Sequence, residues 1–221
     1  FLEANSFAVQ NQIDRIESSA IRASNRVLRQ DRWAANPKGI SGTIELEVMS
    51  KGFGLLLKHM LGTVAITTPS GATTARLHTH TLGDTYGLGL TVQGGVPDVA
   101  ATVQPFSWLG CKIGEWTLSN EVDGILMLGL NIDGASETTA QSLASAAYAS
   151  SVELLTFAGG TVTVAGSQFD VRSFSLTGNA GLKTDRYFLR GSSTKKEPIP
   201  AALVDLSGQI EAEFEGLTAY N

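Results

Sequence analysis

The sequence predicts a mainly β domain with a single α-helix, on three observations. First, the 221-residue chain holds 24 glycines among frequent Thr, Val and Ile, a mixture suited to many short strands joined by turns. Second, residues 40–48 alternate: Ile40, Gly42, Ile44, Leu46 and Val48 share one side of an extended chain, and Thr43, Glu45 and Glu47 the other. Period two with an apolar and an acidic side marks a half-buried strand. Third, the period then changes. Phe53, Leu56, Leu57, Met60 and Leu61 recur at helical spacing, predicting an amphipathic helix over residues 51–61 whose apolar stripe packs on the sheet. Ser50 is placed to cap its start and Gly62 its end.

Further strands are expected over residues 75–82, 86–93, 104–109, 111–119 and 124–132, then over 152–157, 161–164, 168–176, 183–190 and 206–214. Asp133-Gly134 and Asn179-Ala180-Gly181 are turn signals. Residues 137–151, rich in Ala and Ser, fit either a short helix or a surface insertion. Residues 192–200, with Lys195-Lys196-Glu197-Pro198, read as an exposed loop. Residues 1–15 read as an N-terminal arm on one domain spanning 1–221. The octapeptide Ser-Gly-Thr-Ile-Glu-Leu-Glu-Val at 41–48 is echoed by Ser-Gly-Gln-Ile-Glu-Ala-Glu-Phe at 207–214. Two such strands are expected to be neighbours or equivalents in one sheet.

Composition narrows the function. Sixteen basic residues against 21 acidic give a net charge of -5, the wrong sign for a protein that grips phosphates. A single cysteine, Cys111, excludes an internal disulfide framework and a multi-cysteine metal site. The most apolar stretch, 52–66, is interrupted by Lys58 and His59 and is too short to span a bilayer. The first residues lack the basic and apolar regions of a signal peptide.

Catalytic patterns are weak. His78 and His80 share one side of a strand, but with His59 as the third histidine of the chain they read as a solvent-facing or interface pair rather than half a zinc site. Cys111, among Trp108, Leu109, Ile113 and Trp116, reads as part of a packed strand. There is no Gly-x-Ser-x-Gly elbow and no Walker A pattern, and Gly87-Leu88-Gly89 lacks a third glycine at dinucleotide-binding spacing. Glu45/Glu47 and Glu211/Glu213 stand at i and i+2, about 6.5–7 Å apart on a strand, near a separation some glycosidases use. Their regular alternation with apolar residues favours a solvated acidic face. No enzymatic activity and no cofactor are expected.

In order along the chain, Ile16-Glu17-Ser18-Ser19-Ala20-Ile21-Arg22, Arg26-Val27-Leu28, the Ser-Gly-x-Ile-Glu-x-Glu strand and the 53–62 helix resemble the major tail protein, or tail tube protein, of long flexible-tailed bacteriophages. Residues 110–118 (Gly-Cys-Lys-Ile-Gly-Glu-Trp-Thr-Leu), the strand at 123–134, Glu197-Pro198 and the closing strand at 206–214 extend the resemblance over most of the chain. It implies a β-sandwich or partial barrel with one flanking helix, whose strands join a continuous barrel around a lumen once subunits form hexameric rings. The rings stack into a tube in the virion, assembled in the host cytoplasm. The implied partners are other copies of the chain, a tape-measure protein in the lumen, tail-tip (distal tail) and tail-terminator proteins, and double-stranded DNA in transit; no membrane is involved.

On that reading Glu45, Glu47, Glu211 and Glu213 face the lumen, while Ile44, Leu46, Ile210 and Phe214 lie under the helix. The alternative is that these glutamates meet a neighbouring subunit's Arg22, Arg26 or Lys112. Loops 67–75, 94–102 and 191–202 are candidates to bridge rings. Arg22, Arg26, Arg186, Arg190, Lys195, Lys196 and Glu197 are the candidate inter-subunit or inter-ring contacts, set against ordinary solvated loops. The rival class is a β-sandwich binding or adhesion module for carbohydrate or a host surface. Such modules expose aromatics, whereas Trp33, Trp108 and Trp116 sit beside apolar strand residues.

Overall fold

A long antiparallel hairpin opens the chain: β1 (Ala4–Glu17) pairs with β2 (Trp33–Glu47), from Ala4 opposite Leu46 to Glu17 opposite Trp33. The computed structural model describes residues 1–20, 23, 27, 29–72, 74–164 and 166–213; Arg22, Arg26 and Phe214 lie outside them. The expected alternation in β2 is present, with Ile40, Ile44 and Leu46 buried and Thr43 and Glu45 exposed. Residues 1–15, read as an arm, lie mostly in β1.

Helix α1 (Gly54–Leu61) follows. It begins later than predicted, with Phe53 at the N-cap and no side-chain cap. Ser50 is engaged elsewhere: its backbone N–H donates to Glu153 O at 2.9 Å, and its Oγ accepts from Glu153 N at 3.0 Å. Gly62 ends the helix at φ +99°, as expected. Phe53 and Met60 are buried in the core, and Leu56, Leu57 and Leu61 pack against it. Each fully buried side chain of this kind is worth about 1.5–3 kcal/mol before entropy.

The remaining strands are β3 (Gly62–Thr67), β4 (Leu77–Leu82), β5 (Leu90–Pro97), β6 (Val103–Glu121), β7 (Met127–Gly134), β8 (Ser136–Thr138), β9 (Val162–Val164), β10 (Ser167–Phe169), β11 (Val171–Asn179), β12 (Leu182–Lys183), β13 (Ile199–Pro200) and β14 (Asp205–Ala212). The main sheet runs β1-β2-β7-β6-β11-β14, every pairing antiparallel, and curls into a half-barrel. The mainly β fold with a single flanking helix is therefore as the sequence predicts.

Two predicted strands, 104–109 and 111–119, are one 19-residue strand. Gly110 (φ +62°) turns a corner within it rather than ending it. Residues before the corner pair with β5 and β8, Cys111 just after it still faces Leu90 of β5, and the strand from Lys112 on pairs with β7 and β11. Trp108, 3% exposed, fills the corner, and its indole N–H donates to Glu137 Oε2 at 2.7 Å.

Other expectations are corrected. Residues 183–190 hold only the end of a two-residue strand, since β12 pairs with β13 and stops. Residues 152–157 contribute isolated bridges at Leu154 and Thr156 rather than a strand. After β8, residues 139–151 are an irregular strap with no helix. The strap is held by Gln93, whose Nε2 donates to Ser142 O and whose Oε1 accepts from Ala144 N, and by Lys51 donating to Ser150 O. The two echo strands share one sheet but are not neighbours, because β7, β6 and β11 lie between β2 and β14.

Candidate functional site

Directly opposed residues in a sheet share a side, so the register assigns the main sheet's two sides row by row. One side is apolar: Ile44, Leu130, Trp116, Gly178 and Leu206 form one row, and Leu46, Leu128, Leu118, Leu176 and Gly208 the next. Helix α1 and the corner of β6 cover this side at β2, β7 and β6, where Leu46, Leu128 and Leu130 are at most 3% exposed. The cover does not reach the far wing. Leu206 and Ile210 of β14 are 42% and 45% exposed, so Ile210 does not pack under the helix as its pattern suggests. Among the described residues no layer buries it.

The opposite side is polar across five strands. Its rows are Thr43, Asn131, Glu115, Asn179, Asp205; Glu45, Gly129, Thr117, Thr177, Ser207; Glu47, Met127, Ser119, Ser175, Gln209; and Glu121, Ser173, Glu211. Cross-strand contacts tie it together. The Thr117 and Thr177 hydroxyls lie 3.2 Å apart, Asn179 Nδ2 donates to Glu115 Oε2, and Ser173 Oγ donates to Glu211 Oε2. No lysine or arginine occurs in these four rows. At their lower end Arg172 Nε lies 3.6 Å from Glu213 Oε1. The register thus brings Glu45, Glu47 and Glu211 onto one side. It adds Glu115, Glu121 and Asp205, which the sequence reading missed. The signal was there in β6, where Glu115, Thr117, Ser119 and Glu121 alternate with Trp116 and Leu118.

In the next row, Ser41, Asp133 and Lys112, charge is balanced internally. Lys195 Nζ donates to both Asp133 oxygens at 2.7 and 2.6 Å, with Lys195 only 4% exposed. Burial pushes the Asp133 carboxyl above its ordinary range, against the pull of Lys195. Lys112, also buried, donates to Thr85 O at 2.8 Å and lies 3.3 Å from Glu197 Oε1. The 192–200 segment is therefore a clasp across the sheet rather than a free loop. Lys195 and Glu197, expected as inter-ring contacts, are committed within the chain, and Arg186 donates to Glu197 O. Arg190 and Lys196 remain exposed, with Arg190 donating to Thr194 O and Lys196 over the Phe188 ring.

Cys111 is fully buried, and burial, then the Asp133 charge, pushes its thiol up to about 12. The His78 and His80 rings stack at 6.5 Å. Burial, then Lys58 and Lys112, lowers the His59 pKa. No group of three metal-ligating side chains occurs among the described residues. No described helix is long and apolar enough to cross a membrane.

A half-barrel sheet with one clad apolar side, one polar side whose four rows carry no lysine or arginine, and a wing that the described residues leave uncovered is built for company. The family model of phage tail tube proteins matches residues 5–221. The chain belongs to the phage tail tube protein family. No curated protein matches it significantly. A tail tube protein is a structural component of the virion, and membership implies that its copies assemble into a tube. The binding-module alternative gives way to this assignment.

Proposed function

We propose that this tail tube protein forms hexameric rings, that the rings stack, and that the polar side of the main sheet lines a channel for double-stranded DNA. The observation that carries the reading is the makeup of that side: hydroxyls, amides and carboxylates over five strands, with no lysine or arginine in the four rows. Each phosphate caught by a basic wall would release counterions and add to a multivalent grip on the moving duplex. Carboxylates repel phosphates within a Debye length, about 8 Å at physiological salt. Glu45, Glu47, Glu211 and Glu213 are then channel residues, joined by Glu115, Glu121 and Asp205.

Ring closure is supported by the two edges of the main sheet, β1 and β14, beside which no further strand lies among the described residues. An edge strand presents unpaired backbone groups, and a ring neighbour supplies the missing strand. The same neighbour covers the apolar wing at Leu206 and Ile210. Before DNA enters, a tape-measure protein fills the channel, and tail-tip and terminator proteins close the ends. Arg186, Arg190 and Lys196, with Arg22 and Arg26, remain the candidate inter-subunit or inter-ring contacts.

Electron microscopy of the purified protein at high concentration tests the assembly, with stacked six-fold rings or hollow tubes expected. A density map of the tube tests the lining. Glu45 and Glu211 buried against a neighbour's arginines would refute the channel assignment.

A further inference from the structure

Two histidine ring atoms are closed off from solvent without a hydrogen-bond partner: His59 Nδ1 on α1 and His80 Nδ1 on β4. Their elements are packed together, since α1 rests on β3, β4 and β6. At the end of the helix, Gly83 N donates to Leu61 O at 2.7 Å, and a Cβ at Gly62 would collide with Gly83 O. The helix and the β3–β4 hairpin therefore form one unit, seated on the main sheet through Phe53, Leu56, Leu57, Met60 and Leu61.

A neutral imidazole leaves Nδ1 as an unused acceptor. An imidazolium donates from both nitrogens, so charging His59 in place would bury an N–H with no acceptor, the costlier state. The surrounding charges act in the same direction. Its own helix contributes Lys58. From β6 comes Lys112, fixed by its bond to Thr85 O and paired with Glu197, beside the neutral thiol of Cys111. From β4 come His78 and His80, and β3 carries no titratable side chain. The loop after β4 carries Asp84, whose Oδ1 accepts from Tyr86 N. A helix C-terminus favours a cation, but Lys58 already stands there. Burial first, then Lys58 and Lys112, lowers the His59 pKa.

We propose that protonation of His59 is coupled to local opening of the α1–β3–β4 unit, which makes this unit an acid-sensitive flap over the apolar side of the main sheet. Shut, the flap holds a neutral ring. Open, the ring takes up a proton with Nδ1 free to donate to water. The five apolar side chains of the helix keep the shut form dominant, so acid raises the frequency of opening without reversing the balance. The direction is set by the lowered pKa: the advantage of the shut form is full above 6.5, the ordinary histidine value, and is lost as pH falls from there through the lower value of the shut form. Each opening uncovers Leu46, Leu128 and Leu130, which are at most 3% exposed when the flap is shut.

Amide hydrogen exchange of the dilute purified protein, corrected for the intrinsic pH dependence of exchange, tests this between about pH 7 and pH 5. Protection of α1, β3 and β4 is expected to fall by up to about tenfold per pH unit, one proton being taken up at each opening. The ladders joining β2, β7, β6 and β11 are expected to keep their protection. His59→Gln, and His59→Leu as a second variant, should make the protection of the flap independent of pH in this range. Flap protection that does not change with pH in the wild-type chain overturns the proposal, as does an equal fall in both variants. Main-sheet protection that falls in step with the flap also overturns it and shows global acid unfolding instead. Independently of any variant, an NMR titration that places His59 at or above an unstructured histidine overturns it.

Discussion

Replacing Asp133 with alanine is expected to destabilise the isolated subunit by about 3–5 kcal/mol, the cost of stranding one member of a buried ion pair. The structure supports the upper part of the range. Lys195 is 4% exposed, and Asp133 receives two hydrogen bonds from it, at 2.6 and 2.7 Å. Without the carboxylate, the ammonium keeps its burial and loses both acceptors. Lys195→Met strands the other partner, but Asp133 keeps 19% of its side chain in water, so a smaller loss is expected. The double variant Asp133→Leu/Lys195→Met removes both charges and is expected to regain most of the stability, since apolar replacements of buried pairs are often neutral or better. Urea unfolding of a dilute sample, followed by tryptophan fluorescence, reads this directly. With a slope of about 2–3 kcal/mol per molar, Asp133→Ala lowers the midpoint by about 1–2.5 M. Single variants within about 0.3 M of wild type would refute the view that this pair fastens the 192–200 segment.

Three further expectations can be checked on the same protein. Gly178→Ala drives a methyl group into the Trp116 indole and should cost about 1–3 kcal/mol, seen as a lower melting temperature that recovers in a Trp116→Leu background. Cys111 should fail to react with a thiol reagent at pH 8 in the native protein and react on unfolding, because its thiol lies near 12. The Asp98 carboxylate accepts from Gln104, Thr102 and Ala100, and these bonds, Gln104 first, hold its pKa below 3.8. A depressed carboxyl contributes stability above the unfolded value that is lost as pH falls through the folded one. Carbon NMR should therefore place its titration below that of an unstructured aspartate, and the 98–102 turn should loosen only at strongly acid pH.

Local chemistry was legible in the sequence and distant pairing was not. The alternation at 40–48 predicts β2 because one side of that strand is buried in the single chain. The same alternation at 207–214 misleads about packing, because β14 is an edge strand of the sheet whose apolar side the described residues leave uncovered. Gly110 looks like a strand end since a positive φ usually means a turn, yet here it bends a strand that continues. The burial of Lys195 was hidden because its partner Asp133 is 62 residues away. The polar side was half visible: Glu45, Glu47 and Glu211 stand out in the echo. Glu115 and Asp205 join them only once register places the strands side by side.

The corner in β6 bears on the mechanics of the assembled tube. This 19-residue strand, about 60 Å if fully extended, is hydrogen-bonded to β5, β8, β7 and β11. The strands paired before the corner and those paired after it share this one continuous backbone, so sliding one set over the other would stretch covalent geometry and break ladders on four partners. Each subunit then behaves as a stiff tile. Any bending of the tube would be taken up at the seams between tiles, where loops and side chains can give without unfolding anything.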